Sequence, residues 1–418
     1  MGTRLVNKFT AGLVLMMCTT TAMAVTPSPE EMWAIIQQQQ QEIARLKEQV
    51  SHSNEEIRET SVKVEATASM VEEGIAPGGQ SLASSWTERT QIGSYGEMHY
   101  NNLENQNGNG GDGDKDELDF HRFVFFLGHD FSDTTRMFSE VELEHAESGD
   151  GKEGEVELEQ AYIEHDLGLA TRLKAGLFLL PVGLLNVTHE PDTFYGVERN
   201  NVEKNIIPTT WWEGGVALSG EFMPGLNYEA AFTSGLKLEA DKGQFKIRDG
   251  RQKVSKADAS DPAYTANLRY TGIAGLELGA TVQYQQDIYQ GDYDQDIDAV
   301  LYEAHAAYRN GPFGLRALAA SWDIDSAIND IKTGADQQEG WYIEPSWLLT
   351  RKLGLFGRYS EWDNQAGGSG DTEFNEWNLG FNYWLEERVV FKVDYQFQDA
   401  PANEKELEGL NLGVGWSF

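Results

Sequence analysis

Val389-Val390-Phe391-Lys392-Val393-Asp394-Tyr395-Gln396-Phe397-Gln398 alternates with a period of two. One face carries Val389, Phe391, Val393, Tyr395 and Phe397. The other carries Lys392, Asp394, Gln396 and Gln398, with Val390 the single apolar exception. Successive side chains of a strand point to opposite faces, so this decapeptide reads as a strand with one apolar and one hydrated surface. The same pattern recurs on both sides of it. Trp377, Leu379, Phe381 and Tyr383 alternate with Glu376, Asn378, Gly380 and Asn382. Leu410, Leu412, Val414, Trp416 and Phe418 alternate with Asn411, Gly413, Gly415 and Ser417. Further upstream, Leu276–Gln285 and Tyr264–Thr271 repeat it, with Arg269 on a polar face.

The connections decide what these strands build. Short turns fall near 130–135, 167–171, 223–227, 272–275, 309–313, 350–352 and 385–388. Longer polar stretches fall near 101–117, 147–155, 184–212, 236–262, 287–297, 323–340, 364–374 and 399–408. Fifteen connections imply sixteen strands. Their short–long alternation places every long loop at one end, the pattern of an antiparallel transmembrane β-barrel. The even strand number returns both barrel ends to the short-turn side. Closure pairs every backbone N–H and C=O while leaving half the side chains polar. A chain with mean hydropathy −0.49 can therefore span a bilayer. Tyr100, Tyr228, Tyr264, Tyr308, Tyr359 and Tyr383, near strand ends, suit the interfacial girdles. Pro345 inside one proposed strand is awkward for a central ladder.

The 418 residues include 32 Lys+Arg and 68 Asp+Glu, a net charge of −36. Such acidity argues against a nucleic-acid partner. Outside the leader no apolar run reaches the roughly 18 residues of a spanning helix, and one Cys supports neither a disulfide framework nor a Cys-rich metal site. Residues 1–24 form the leader: Arg4 and Lys8, an apolar stretch from Phe9 to Cys18, and Ala22-Met23-Ala24 as a cleavage site, together a signal peptide. Its removal takes two cations and moves the charge to −38. Residues 25–73 are expected to contain a helical coiled coil. Ile36, Ile43, Val50, Ile57, Val64 and Val71 repeat every seven residues, all β-branched as favoured at position a. Position d holds Met32, Gln39, Leu46, Ser53, Thr60 and Thr67, mostly polar, so the seam is weak and its oligomer state open. Residues 74–87, with Pro77, Gly78 and Gly79, are a linker, and 88–418 are the barrel.

Ala161-Tyr162-Ile163-Glu164 followed by Arg172-Leu173-Lys174-Ala175-Gly176-Leu177-Phe178-Leu179-Leu180-Pro181-Val182-Gly183 resembles the phosphate-selective porin O and P family. There a strand bearing Ala-Tyr precedes one ending Gly-x-Phe-x-x-Pro-x-Gly and then a long loop. The resemblance implies a homotrimer of water-filled channels in the bacterial outer membrane, with the coiled coil in the periplasm. Leu177, Leu179 and Leu180 stand where family members often carry basic residues, so phosphate or general anion selectivity does not carry over. The final strand, ending in Trp416 and Phe418, resembles the signal read by the barrel assembly machinery.

The third long loop, Leu184 to Trp212, spans 29 residues. In sixteen-stranded porins such a loop commonly folds inward. Glu190, Asp192, Glu198, Arg199, Glu203 and Lys204 are therefore the constriction candidates, the alternative being an ordinary external loop. Glu140, Glu142 and Glu144 share one face of a strand, and with Arg269, Lys392 and Asp394 they are the candidates for facing the lumen. Asp292, Asp294, Asp296 and Asp298 form a second acidic row at a loop-to-strand junction. Such rows would favour cations; solvated loop acid is the alternative reading. Lys242, Lys246, Arg248, Arg251, Lys253 and Lys256 read more readily as a solvated loop than as a contact with lipopolysaccharide phosphates or an anion entry path. Asp112, Asp114 and Asp116 have the spacing of a calcium loop, but Glu117 and Phe123 stand where it needs Gly and Glu. Neither H-E-x-x-H, G-x-S-x-G nor a P-loop occurs, so no catalytic, metal or cofactor residue is assigned. The expected function is passive diffusion of small hydrophilic solutes or ions. The alternatives are a substrate-selective sugar channel with Trp211 and Trp212 in an aromatic file, an anion channel, or a structural tether.

Overall fold

The computed structural model describes residues 88–108, 112–168, 170–239, 244–325 and 334–418. The leader, the coiled coil and the linker lie outside these residues. Sixteen strands follow one another: β1 Thr90–Asn105, β2 Lys115–Asp130, β3 Thr135–Glu144, β4 Val156–Asp166, β5 Thr171–Leu179, β6 Trp212–Met223, β7 Leu226–Thr233 and β8 Ala263–Ile273. The second half comprises β9 Leu276–Gln285, β10 Ala299–Asn310, β11 Phe313–Ile324, β12 Gln337–Leu348, β13 Leu353–Asp363, β14 Phe374–Glu386, β15 Val389–Asp399 and β16 Leu407–Ser417. Each pairs antiparallel with its neighbours, and β16 pairs with β1, closing the barrel. Phe418 completes the seam: its N–H donates to the Ser94 carbonyl at 2.9 Å and its carbonyl accepts from Ser94 N–H at 3.1 Å.

Alternation translates directly into orientation. On β15, Phe391, Tyr395 and Phe397 are about half exposed on the outside, while Lys392 and Asp394 are each 2% exposed within. The outer band also includes Leu278, Val282, Tyr284, Trp347 and Leu379. Short turns rely on glycine where the chain needs a left-handed residue: Gly225 has φ +81° and Gly275 φ +78°. Pro345 is accommodated by an interruption. It faces Leu315 of β11, but the β12–β13 ladder jumps from Ile343↔Tyr359 to Ser346↔Phe356, so no pair is formed where the N–H is missing.

The barrel interior differs from a plain water-filled lumen. The third long loop (L3, 180–211) runs inside it, held from several strands. Asp394 accepts the Val197 N–H at 2.7 Å, Asn382 donates to Phe194 O at 2.9 Å, and the Trp322 indole donates to Ile206 O at 2.9 Å. The fourth loop (L4, 234–262) and fifth (L5, 286–298) follow it. Leu180, Val202, Ile206, Ile207 and Trp211 of L3 pack with Leu236, Leu238 and Ile247 of L4, Ile288 and Ile297 of L5, and inward Leu301, Trp322 and Tyr342. Each such side chain contributes about 1.5–3 kcal/mol when buried, which keeps L3 in place. Small residues on the wall make space for it. On the inner face of β16, a Cβ added at Gly415 would lie 2.4 Å from Pro191 Cβ, and one at Gly413 would lie 3.1 Å from Val197 Cγ1.

Candidate functional site

A cavity of about 230 Å³ opens where L3 and L4 meet the wall of β1 to β4. Strand β3 presents Glu142 and Glu144 to it, on the parity of Glu140; Val141 points outward. Strand β4 adds Glu157 and Glu159. A bulge makes this possible: Glu140 pairs with Gln160 and Val141 with Leu158, so Glu159 is the extra residue. Strand β1 adds Glu97 and His99, and β2 adds His121 and Arg122. The opposite side is basic. L3 supplies Arg199 and Lys204; L4 supplies Arg248, Arg251 and Lys253. A path between these sets crosses a transverse field.

The walls are braced by their own contacts. Arg122 donates from Nε to Glu97 at 2.6 Å, from Nη1 to the Tyr95 hydroxyl at 3.0 Å and from Nη2 to His189 O at 2.7 Å. His99 bridges Glu97 and Glu198, each at 3.2 Å, and its ring stacks on His121 at 4.7 Å. Arg248 donates to Thr209 O at 2.8 Å and Arg251 to Thr210 O at 2.6 Å, so L4 arginines clamp L3 by its backbone. Arg199 donates to the Thr210 hydroxyl at 2.8 Å, and Lys253 pairs with Glu155 at 2.8 Å and with Glu157.

The candidates named from sequence are distributed unevenly. Glu198, Arg199 and Lys204 line the cavity, as do Glu142 and Glu144. Glu203 is structural: fully buried, it accepts the N–H groups of Leu184 and Leu185 at 2.7 and 2.6 Å and the Tyr342 hydroxyl at 3.0 Å. Burial raises its carboxyl, and the Leu185 amide opposes that rise. Asp192 accepts the Ser417 hydroxyl at 3.0 Å, anchoring L3 to β16. Glu190 is partly exposed beside it, its carbonyl accepting from the Thr193 hydroxyl at 2.7 Å. Glu140 sits behind the row, with Gln160 donating to it at 2.6 Å. Lys392 lies 3.5 Å from the centre of the Phe194 ring, and Asp394 holds L3, so both face inward beneath the loop. Arg269 is exposed, opposite Asn227 and Gly279 on the inward parity of Thr265, away from the cavity. Trp416 lies beside Gly96 across the β1–β16 seam, and Phe418 is two-thirds exposed at the strand end.

Several expectations change. Arg248 and Arg251 are not a solvated surface but line the interior cavity, because their long side chains reach back to L3 carbonyls. Asp292 to Asp298 lie in L5, before β10 begins, and do not form a strand face; Asp292 pairs with Lys237 at 2.9 Å. Those Asp contacts raise the ammonium pKa of Lys237. Trp211 is not in an aromatic file, since it is fully buried in the interior core with its indole donating to Glu213 at 2.9 Å. Leu177 shares the parity of outward Leu173, and Leu180 is in the core, so neither stands on the water path. Asp112, Asp114 and Asp116 do not converge among the described residues. Asp114 accepts the Asn105 N–H at 2.8 Å and Asp116 the Tyr100 hydroxyl at 3.0 Å.

Residues 230–403 match the family model described as Gram-negative porin. A protein of Aquifex aeolicus (strain VF5), itself uncharacterised, is 28% identical over 358 residues, 78% of this chain and 79% of its own. Among solved structures, the anion-selective porin from Comamonas acidovorans superposes with a TM-score of 0.57 at 12% identity, over 79% of this chain and 100% of its own. The outer membrane channel DcaP of Acinetobacter baumannii gives 0.53 at 14%, over 79% and 97%. Salmonella typhi OmpF, in complex with daunomycin, gives 0.54 at 13%, over 79% and 97%. At these identities the structures share the fold. With the match over residues 230–403, the closed sixteen-stranded barrel and the polar cavity inside it, the protein is an outer-membrane β-barrel channel for the diffusion of solutes.

Proposed function

We propose that the chain works as a passive, weakly selective channel for small hydrophilic solutes and ions, and that no bond is made or broken. One observation carries this reading: the cavity is lined by six carboxylates (Glu97, Glu142, Glu144, Glu157, Glu159, Glu198) and six basic side chains (Arg122, Arg199, Lys204, Arg248, Arg251, Lys253), with the acids mostly on the strand wall and the bases mostly on L3 and L4. A solute crossing it is oriented by the field and held by neither wall alone. The charge excess of the chain therefore sits elsewhere, on loops such as L5 with Asp292, Asp294 and Asp296. It gives a mild cation preference through the field at the mouth.

The motif at 161–183 supports kinship with the phosphate-selective porin O and P family. It brings the further reading of a homotrimer embedded in outer-membrane lipid and lipopolysaccharide, with the coiled coil in the periplasm. Trp416 and Phe418 serve as the assembly signal. Planar-bilayer recording tests the function. Ohmic steps with a small cation-selective reversal potential are expected at low salt, fading as the Debye length falls from about 30 Å at 0.01 M to about 3 Å at 1 M. Sugar-dependent block would replace this reading with a sugar channel, a persistent anion-selective potential with an anion channel, and silence with a tether.

A further inference from the structure

Beside the acidic wall, L3 passes over β3 and β4 at a cluster of which only Glu159 also lines the cavity. His189 of L3, Glu140 of β3 and Glu159 of β4 are all buried, and one donor atom from each lies within 4.8 Å of the others. The His189 Nε2 is 3.7 Å from Glu140 Oε1 and 3.7 Å from Glu159 Oε2. These separations exceed hydrogen-bond range. His189 Nε2 and Glu159 Oε2 have no hydrogen-bond partner among the described residues.

The surrounding contacts orient the donors as a metal's second shell does. His189 Nδ1 lies 3.1 Å from the Asn186 carbonyl, which can only accept, so Nδ1 carries hydrogen and Nε2, facing the two carboxylates, is the nitrogen open to a proton or a metal ion. Gln160 holds the other oxygen of Glu140 at 2.6 Å. The Tyr95 ring meets the imidazole edge to face at 5.9 Å. Arg122, the neighbouring cation, is committed to Glu97, Tyr95 and the His189 carbonyl. Two buried carboxylates facing an imidazole nitrogen need positive charge between them, which a proton on Nε2 or a metal ion supplies.

We propose that His189, Glu140 and Glu159 bind a divalent transition ion of the Zn²⁺ class, which fastens the constriction loop to the barrel wall. One imidazole and two carboxylates make a borderline donor set, which suits such ions better than Ca²⁺ or Mg²⁺ with their all-oxygen preference. Zinc bonds of about 2.0–2.1 Å set tetrahedral donors roughly 3.3 Å apart, so the two His189 distances of 3.7 Å shorten by a few tenths of an ångström on binding, and the carboxylate donors, within 4.8 Å of one another, draw together with them. Glu159 also lines the cavity, which supplies an entry path and a water for the remaining position. The occupant competing with the metal is a proton on His189. A metal ion at Nε2 takes the place of that proton, so binding releases it.

The test is calorimetric titration of the purified full-length protein with ZnCl₂, in excess Mg²⁺ to occupy surface acids, followed by anomalous scattering from zinc-soaked crystals. The expected result is one Zn²⁺ per chain with proton release, an anomalous peak bounded by the three side chains, and at least about tenfold weaker binding in His189→Gln and Glu159→Gln. Stoichiometric binding below one, an anomalous peak elsewhere, or unchanged affinity in both variants would overturn the proposal. The wild-type titration and anomalous map decide the matter even if a variant fails to fold.

Discussion

Gly415 illustrates how one position joins wall and loop. It lies on the inner face of the closing strand, where Pro191 occupies the space a side chain would need. Substituting Gly415→Val forces the ring of Pro191, and L3 with it, away from the wall. It also strains the neighbouring contact between Ser417 and Asp192. We expect a loss of about 1–3 kcal/mol, the usual cost of overpacking a tight contact. The temperature at which the folded gel band converts to the unfolded one should fall, and single-channel conductance should become more variable. An unchanged transition with unchanged conductance would show that L3 does not rest on β16. Arg122 is the second such residue. With both Glu97 and Arg122 at most 2% exposed, Arg122→Met leaves a buried carboxylate without its cation. The expected cost is about 3–5 kcal/mol, measured by urea unfolding of the barrel in detergent.

At the scale of elements, the constriction is two facing surfaces with separable effects. The β3 row supplies negative charge through Glu142 and Glu144, and L4 supplies positive charge through Arg248 and Arg251. Replacing Glu142 and Glu144 by Gln should move the reversal potential toward anions; replacing Arg248 and Arg251 by Gln should move it toward cations. Each should change the permeability ratio by about twofold at low salt, much less at high salt. The arginine pair should also raise conductance noise, because it releases the clamps on the Thr209 and Thr210 carbonyls. Shifts of the same sign in both variants, or none, would mean that ions bypass this cavity.

For the whole molecule, the change of period at the Gly/Pro-rich stretch 74–81 divides a sequence whose seven-residue repeat predicts a helix from one that forms a closed barrel. Deleting Glu30–Glu73 should leave a heat-modifiable barrel and weaken the proposed trimer. The first is read on gels and the second by analytical ultracentrifugation. Complete loss of folded barrel after this deletion would contradict two independent folding units. The interior apolar core supports the same expectation, since, among the described residues, L3, L4 and L5 bury their side chains against one another and against the barrel wall.

Strand number, strand direction and the outward face of each strand were readable from the amino-acid order, because alternation is local and lipid demands it along every strand. Turn positions were readable for the same reason: Gly225 and Gly275 mark places where only a left-handed residue closes the ladder. The inward presence of L3 was legible in part, from its length and position. The partners of that loop were not. Glu203 and Glu198 look alike in sequence, yet one is consumed by backbone amides and the other lines the cavity. Arg248 and Arg251 read as solvated loop cations, yet they reach about forty residues back along the chain to grip L3. The bulge that turns Glu159 inward, the glycines that seat Pro191 and Val197, and the meeting of His189 with Glu140 and Glu159 all depend on which strands and loops become neighbours. Periodicity determines which face a residue occupies; only barrel closure and the packing of three loops inside it determine what that residue touches.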